Sequence, residues 1–322
     1  MKINEGNVLT LVIKRAALGL MTLWAASVLI FAGTQILPGD LAQAVLQNNA
    51  TKENVAALRH DLGLDRPVVE RYADWLGNAV QGDFGTSLIN KRDVSIDLAP
   101  RIYNTLFLAL YAAAIAVPLS VGLGILTAAW QGSVFDALAN AVTLLAISLP
   151  EYFLGYLLIK WVAVYWGLFP VLASVTPETP FSGRLYMTFL PMLTLVLVIV
   201  AHMMRMTRAS VIAVMSSPYI EMALLKGLPK WRVVVEHALP NALAPIINVV
   251  ALNLAYLIVG VVVIEVVFVY PGLGQSMVDA VAKRDVPVVQ ACGLIFATVF
   301  ITLNMVADIL ALVSNPRLRH PR

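Results

Sequence analysis

Few side chains in this sequence are of a type and spacing that could do chemistry. The four histidines, His60, His202, His237 and His320, are scattered. None stands in the H-E-x-x-H spacing that would put two imidazoles on one helix face for zinc. The one cysteine, Cys292, lies inside an apolar run, so there is no disulfide framework and no thiolate metal site. No G-x-x-x-x-G-K-[ST] run is present to cradle phosphates, and no G-x-S-x-G nucleophile elbow. The chain is expected to be neither an enzyme nor the holder of a cofactor. What remains are ionisable groups in apolar surroundings, Glu151, Glu265 and Asp308. A charge at the centre of a bilayer costs about 2.5–3.5 kcal/mol on insertion scales, so each calls for an explanation.

The elements that must position them are legible from composition. Of 322 residues, 60% are hydrophobic and 13% charged, against about 45–50% and about 25% in soluble proteins. Six apolar runs approach the roughly 20 residues needed to cross a bilayer. They are Ala16–Leu37, Thr105–Trp130, Phe135–Ile159, Tyr186–Met204, Leu243–Val269 and Val288–Val313. The first follows Lys14 and Arg15 as a signal peptide would. It exceeds the about 7–15 apolar residues of such a leader and reads as a retained span. The net charge of +3 requires no nucleic-acid partner, because basic residues in membrane proteins record orientation. With both termini in the cytoplasm, eleven Lys and Arg fall in the inner segments 1–15, 205–242 and 314–322. Four fall in the short outer loops. The chain is therefore expected to be an all-α polytopic protein of six transmembrane helices. It divides into 1–37, the outer segment 38–104, a five-span core 105–313 and the tail 314–322.

In the long outer segment, Val68, Tyr72, Trp75, Leu76 and Ala79 recur at helical spacing. This predicts an amphipathic helix near the outer surface, closed by Gly82, serving either as a docking element or as an ordinary cap. Each polar group in the spans admits more than one role. Glu151, just after Pro150 and deep in span three, can face an aqueous pathway and meet a substrate amine, or bond a neighbouring helix. Glu265, near the outer end of span five, can reach the interface or act at a gate. Asp308, near the inner end of span six, is expected to pair with Arg205 or Arg208, with a pathway role as the rival reading. Asn248 and Asn253 can line a cavity or hold helices together. Prolines 118, 150, 191 and 245 offer kinks within or at the ends of spans.

The stretch EMALLKGLPKWRVVVEHALP, residues 221–240, interrupts the apolar pattern. Ser217-Pro218 opens a helix with proline in its first turn. Glu221 follows where the helix dipole favours an anion. Gly227 stops the helix, Pro229 reinforces the stop, and Trp231 to His237 begin a second helical turn toward the membrane. A short projecting helix, then a turn, is shaped to enter a cleft on another protein; a solvated inter-span loop is the alternative.

Glu221, Ala223 and Gly227, followed by Ala238-Leu239-Pro240, resemble the "EAA" loop of ABC importer permeases. Met222 departs from the usual small residue. Further motifs stand in order: Pro38-Gly39-Asp40, Leu62-Gly63-Leu64-Asp65-Arg66-Pro67, Gly82-Asp83-Phe84-Gly85-Thr86-Ser87 and Arg205-Met206-Thr207-Arg208. Ala238-Leu239-Pro240-Asn241-Ala242, Glu265-Val266-Val267-Phe268, Pro271-Gly272-Leu273-Gly274 and Arg284-Asp285-Val286-Pro287 complete the series. Together they resemble the B-type permease of dipeptide, oligopeptide and nickel importers over nearly the whole chain. Asn315-Pro316-Arg317 stands where that family has Asp-Pro-Arg. The resemblance implies a subunit of the bacterial inner membrane that forms a pathway for peptides or similar solutes by alternating access. It implies a second homologous permease as a heterodimer partner, two ABC ATPase subunits that carry ATP and Mg, and an extracytoplasmic solute-binding protein. By the same resemblance Tyr219, Glu221, Met222, Ala223, Lys226, Gly227 and Leu228 couple to the ATPase, while Glu151, Asn253 and Glu265 are candidates for the pathway or its gate. The rivals are an ion-gradient-driven secondary transporter, a nickel, glycoside or opine permease within ABC importers, and a membrane scaffold.

Overall fold

Lipid offers no hydrogen-bond partners, so a crossing segment must satisfy its own backbone. In the computed structural model, which describes residues 8–36, 51–61 and 63–314, the chain accordingly runs from helix to helix. The order is α1 (Val8–Gln35), α2 (Lys52–Asp61), α3 (Val68–Val80), α4 (Val94–Ala129), α5 (Val134–Ser148), α6 (Glu151–Leu158, continuing as a π-helical turn Ile159–Tyr165) and α7 (Phe181–Met187). Then follow α8 (Phe189–Met215), α9 (Pro218–Leu225), a helical turn Lys230–Arg232 with a π-helical segment Val233–Ala238, α10 (Leu239–Val267), α11 (Leu273–Lys283) and α12 (Val286–Ser314). Among the described residues five helices are long and apolar enough to cross a membrane, and the bent pair α5–α6 makes a sixth if counted as one span. Pro38-Gly39-Asp40, Leu62 and Asn315-Pro316-Arg317 lie outside the described residues.

The third span departs from the expected continuous run. α5 and α6 meet at 101°, because Leu149 and Pro150 are both extended, with ψ of 133° and 144°. Proline lacks the N–H that would continue the ladder and pushes its predecessor out of the α region. Glu151 therefore opens α6 at a break and is not set in the middle of a continuous helix. Other helices outrun their apolar cores. α4 begins at Val94, eleven residues before the expected span, and α8 continues through Arg205 and Arg208 to Met215. α2 had no expectation in the pattern of the sequence.

Two compact units form. One comprises Leu106–Tyr270 with the chain ends, up to Gly19 and from Phe300; the other comprises Leu20–Thr105 with Pro271–Val299. In the first, α8 is the central helix, with Leu190, Met192, Leu195, Met203 and Met204 buried, and it packs against α5, α6 and α10. Ala128, Val211, Ala242 and Ile246 join α4, α8 and α10 in one apolar cluster. At this junction a Cβ on Gly124 would lie 2.7 Å from Thr207 Cβ and 2.9 Å from the Met204 carbonyl oxygen. Small residues permit such approach between membrane helices. In the second unit, Val94 and Leu98 of α4, Leu273, and Ala291 and Cys292 of α12 are buried together with Phe84 against them.

Gly124→Val is expected to lower the thermal midpoint of the purified protein, since overpacking costs about 1–3 kcal/mol. Gly122→Val is the control, because open space surrounds that position. A scan of detergent-solubilised protein in which the two variants melt alike would contradict the close α4–α8 contact.

Candidate functional site

The segment between α8 and α10 is a built structure. Ser217 is extended and turns the chain, its hydroxyl donating back to the Val214 carbonyl. Pro218 then occupies the first turn of α9. One face of α9, Ile220 and Ala223, is buried against Val233 and Ala238, with Val214, Met215 and Leu228 around them. Beyond Leu225 the chain reverses at Gly227, whose φ of 82° favours glycine. The Gly227 N–H donates to the Leu224 carbonyl at 2.9 Å, which caps the helix end. Arg232 and Glu236 pair at 2.9 Å across one turn.

This arrangement divides the expected coupling residues. Ala223 is buried and Leu228 is half-buried, and both pack within the segment itself. Tyr219, Glu221, Met222, Lys226 and Gly227 are exposed. Leu225, at 75% exposure, extends the apolar part of that face.

Within the same unit a cavity of about 790 Å³ opens between α6, α8 and α10. Glu151 and Asn253 both line it, together with His202, which sequence spacing alone had not singled out. The lining is otherwise mostly apolar, including Leu195, Ile199, Leu252 and Val263. Gly260 makes room for the acid: a Cβ there would lie 3.0 Å from Glu151 Oε2. Asn253 is 6% exposed and returns its amide to the Val249 carbonyl at 2.8 Å, one turn back. Glu265 does not line this cavity; it is fully buried near the end of α10, where its carbonyl accepts from the Tyr270 N–H.

The expected ion pair is not the one formed. Asp308 pairs with Arg15 of α1 at 2.9 Å, both side chains about half exposed. Arg208 binds Asp136 through Nε and Nη2, at 2.7 and 2.8 Å. Asp136 also accepts from the Gly132 N–H and from Asn140. The reason is placement: α12 brings Asp308 beside α1, while α5 starts with an acid directly facing α8. Ser133, which accepts from the Asp136 N–H, marks that helix start in the sequence, and Asp136 three residues on was the available signal. Arg205 is exposed.

In the other unit three of the ordered motifs converge. Asp285, 5% exposed, accepts from the Ser87 hydroxyl and from the Leu88 N–H at 3.0 Å. The Gly85 carbonyl accepts from Val94 N–H at 2.9 Å. Asn104 donates to the Pro271 carbonyl, and Thr105 Oγ1 accepts from the Leu273 N–H, both at 2.8 Å. The amphipathic α3 forms as expected. Tyr72 and Trp75 pack on Phe31 with centroids 5.4 and 5.6 Å away, and the Tyr72 and Ser27 hydroxyls bond at 2.8 Å. Val68 is the exception, 56% exposed at the helix start. Asp74 beside Arg66 holds that guanidinium above its usual range, whereas burial lowers that of Arg71, which donates to Gln35.

Fold and site together define a polytopic α-helical membrane protein with a cavity among its spans and a short helix held out between two of them. A family described as "Binding-protein-dependent transport system inner membrane component" matches residues 120–320, and its N-terminal counterpart matches residues 8–108. The chain belongs to this family and is a permease subunit of an ABC importer. It is 38% identical over 313 residues to the "Glutathione transport system permease protein GsiC" of Escherichia coli strain K12, covering 97% of this chain and 99% of the relative. The proteins of the same name from Escherichia coli O1:K1 and Shigella dysenteriae serotype 1 match to the same extent. The family works with ATPase and solute-binding partners, and it is a family of transport subunits.

Asp136→Asn and Arg208→Gln are each expected to lower the thermal midpoint of the purified protein. The double variant should lose less than the two singles combined, with a coupling of about 2 kcal/mol. Strict additivity would show that the pair holds nothing.

Proposed function

We propose that this subunit carries peptide-like solutes across the bacterial inner membrane, and that residues 216–240 are its mechanical link to an ATPase. The observation that carries the proposal is the two-sided build of α9. Ile220 and Ala223 bind it firmly to Val233 and Ala238, while Tyr219, Met222 and Leu225 stay exposed beside Glu221 and Lys226. A short helix that keeps apolar side chains exposed in this way suits a groove on a partner. The basic residues of the inner segments support a cytoplasmic position for this segment and both termini. The relatives' role as glutathione permeases supports a peptide-like substrate; nickel chelates, glycosides and opines stand behind it.

In the proposed assembly a homologous second permease completes the pathway as a heterodimer, and the cavity lined by Glu151 and Asn253 belongs to that pathway. A solute-binding protein docks on the outer segments, 38–100 and 270–287. Two ATPase subunits hold ATP and Mg and, on closing, displace α9. A ligand shifts a conformational equilibrium only through different affinity for its states, so the contact made by α9 must differ between inward- and outward-facing forms. An ion-gradient-driven transporter is not favoured: it would want several ionisable groups at midplane.

Gly227→Pro forces a φ near −65° where 82° is needed, and Glu221→Arg reverses charge at the start of α9. Each is expected to reduce ATP-driven uptake in proteoliposomes at least about tenfold and to weaken co-purification of the ATPase subunits. Membrane insertion should be unchanged. Wild-type uptake in both variants would refute the link.

A further inference from the structure

Glu151 is a carboxylate placed in mostly apolar surroundings, without a fixed counter-charge among the described residues. It stands at the break between α5 and α6, where two extended residues turn the chain by 101°. Its side chain reaches over Gly260 of α10, at the one point on that helix turn where no Cβ intervenes. The cavity it enters, about 790 Å³, is walled mainly by Leu, Ile and Val. Among the described residues its electrostatic neighbour is His202 of α8, which lines the same cavity. An imidazole, unlike a guanidinium, is no permanent cation at neutral pH. Two other acids of this unit are matched with a guanidinium: Asp136 with Arg208, Asp308 with Arg15. Glu151 alone of these three acids is left facing open space large enough for a small solute.

We propose that Glu151 is an ammonium-binding subsite. It gives the cavity a negative potential and accepts the protonated amine of a passing solute, such as the free N-terminus of a peptide, with His202 beside it as a polar contact. A single charge in a cleft with low-dielectric walls concentrates counter-ions and raises their encounter rates by roughly ten-fold or more. Charged hydrogen bonds of this kind are also stronger than neutral ones. The subsite rests on the reading of this cavity as part of the translocation pathway.

The test reads the cavity's charge without requiring a known substrate. Cys292, the one cysteine and a buried one, is replaced in a Cys292→Ala background, and Val263→Cys puts a single thiol in the cavity wall. The full transporter, with its ATPase and permease partners, is reconstituted in nanodiscs, and its ATP hydrolysis certifies assembly. The thiol is then reacted with trimethylammonioethyl methanethiosulfonate and with its sulfonatoethyl counterpart, each rate being divided by that for free cysteine. We expect the cationic reagent to be favoured roughly tenfold. Glu151→Gln should abolish that preference and Glu151→Asp should retain it. Should Glu151→Gln fail to assemble, Glu151→Ser carries the same expectation. A thiol that reacts equally with both reagents, or a preference that survives the loss of the carboxylate, overturns the subsite but leaves the pathway intact. A thiol that reacts with neither shows that water does not enter the cavity, which overturns the pathway reading and the subsite with it.

Discussion

An unpaired peptide group in hydrocarbon costs several kcal/mol, and every other feature of this subunit is arranged around that constraint. Where the chain crosses the membrane it has no alternative to helix, so its freedom is confined to a few irregular places. Among the described residues of the larger unit they include the extended pair Leu149 and Pro150 and the π-helical segment Ile159–Tyr165, and between the spans the segment Val233–Ala238 and the turn at Gly227. π-Helical turns recur at functional sites in membrane and soluble helices alike. In the larger unit the extended pair borders the cavity, and Val233–Ala238 and Gly227 belong to the segment between α8 and α10. Rigid rods joined at a small number of irregular points are the mechanical parts a switching bundle requires.

The same unit explains how motion at α9 can reach the cavity. α8 ends at Met215, two residues before the cap that starts α9, and α10 follows the π-helical segment against which α9 is packed. Those two helices also supply His202, Asn253 and Gly260 to the cavity wall. A push on α9 is therefore received by two cavity-lining helices at once, through the buried contacts of Ile220 and Ala223. Interiors packed to this density move as bodies and do not deform smoothly. The bidentate Asp136–Arg208 pair adds a third rod, tying the start of α5 to the same end of α8.

Much of this was legible in the residues, and the remainder was not for identifiable reasons. Apolar content set the number of spans, and Ser217-Pro218 with Gly227 set the ends of α9, because these signals are local. The span ends were less legible: Arg205, Arg208 and Arg101 lie within helices that packing, not hydropathy, prolongs. Ion pairing escaped local reasoning altogether. Asp308 met Arg15, nearly three hundred positions away in the chain, and Arg208 met Asp136, because tertiary placement decides which charges share a level. Ala223 shows the converse. The resemblance assigned it to coupling without saying where it lies, and the fold buries it in the packing of the segment.

Asp285 and Glu151 make an instructive contrast. Both are acids in poorly solvated positions, but Asp285 accepts from Ser87 and Leu88 and joins motifs nearly two hundred residues apart. Its charge is consumed by structure, and the ordered series of motifs around it is explained by what it holds together. Among the described residues Glu151 has no comparable set of donors, and Gly260 keeps clear the space into which its carboxylate points. Leaving a half-buried carboxylate under-satisfied lowers stability, and a leucine at position 151 would fill the apolar wall at less cost. Retaining the acid is intelligible when something that visits the cavity, and is absent from the resting fold, completes its coordination.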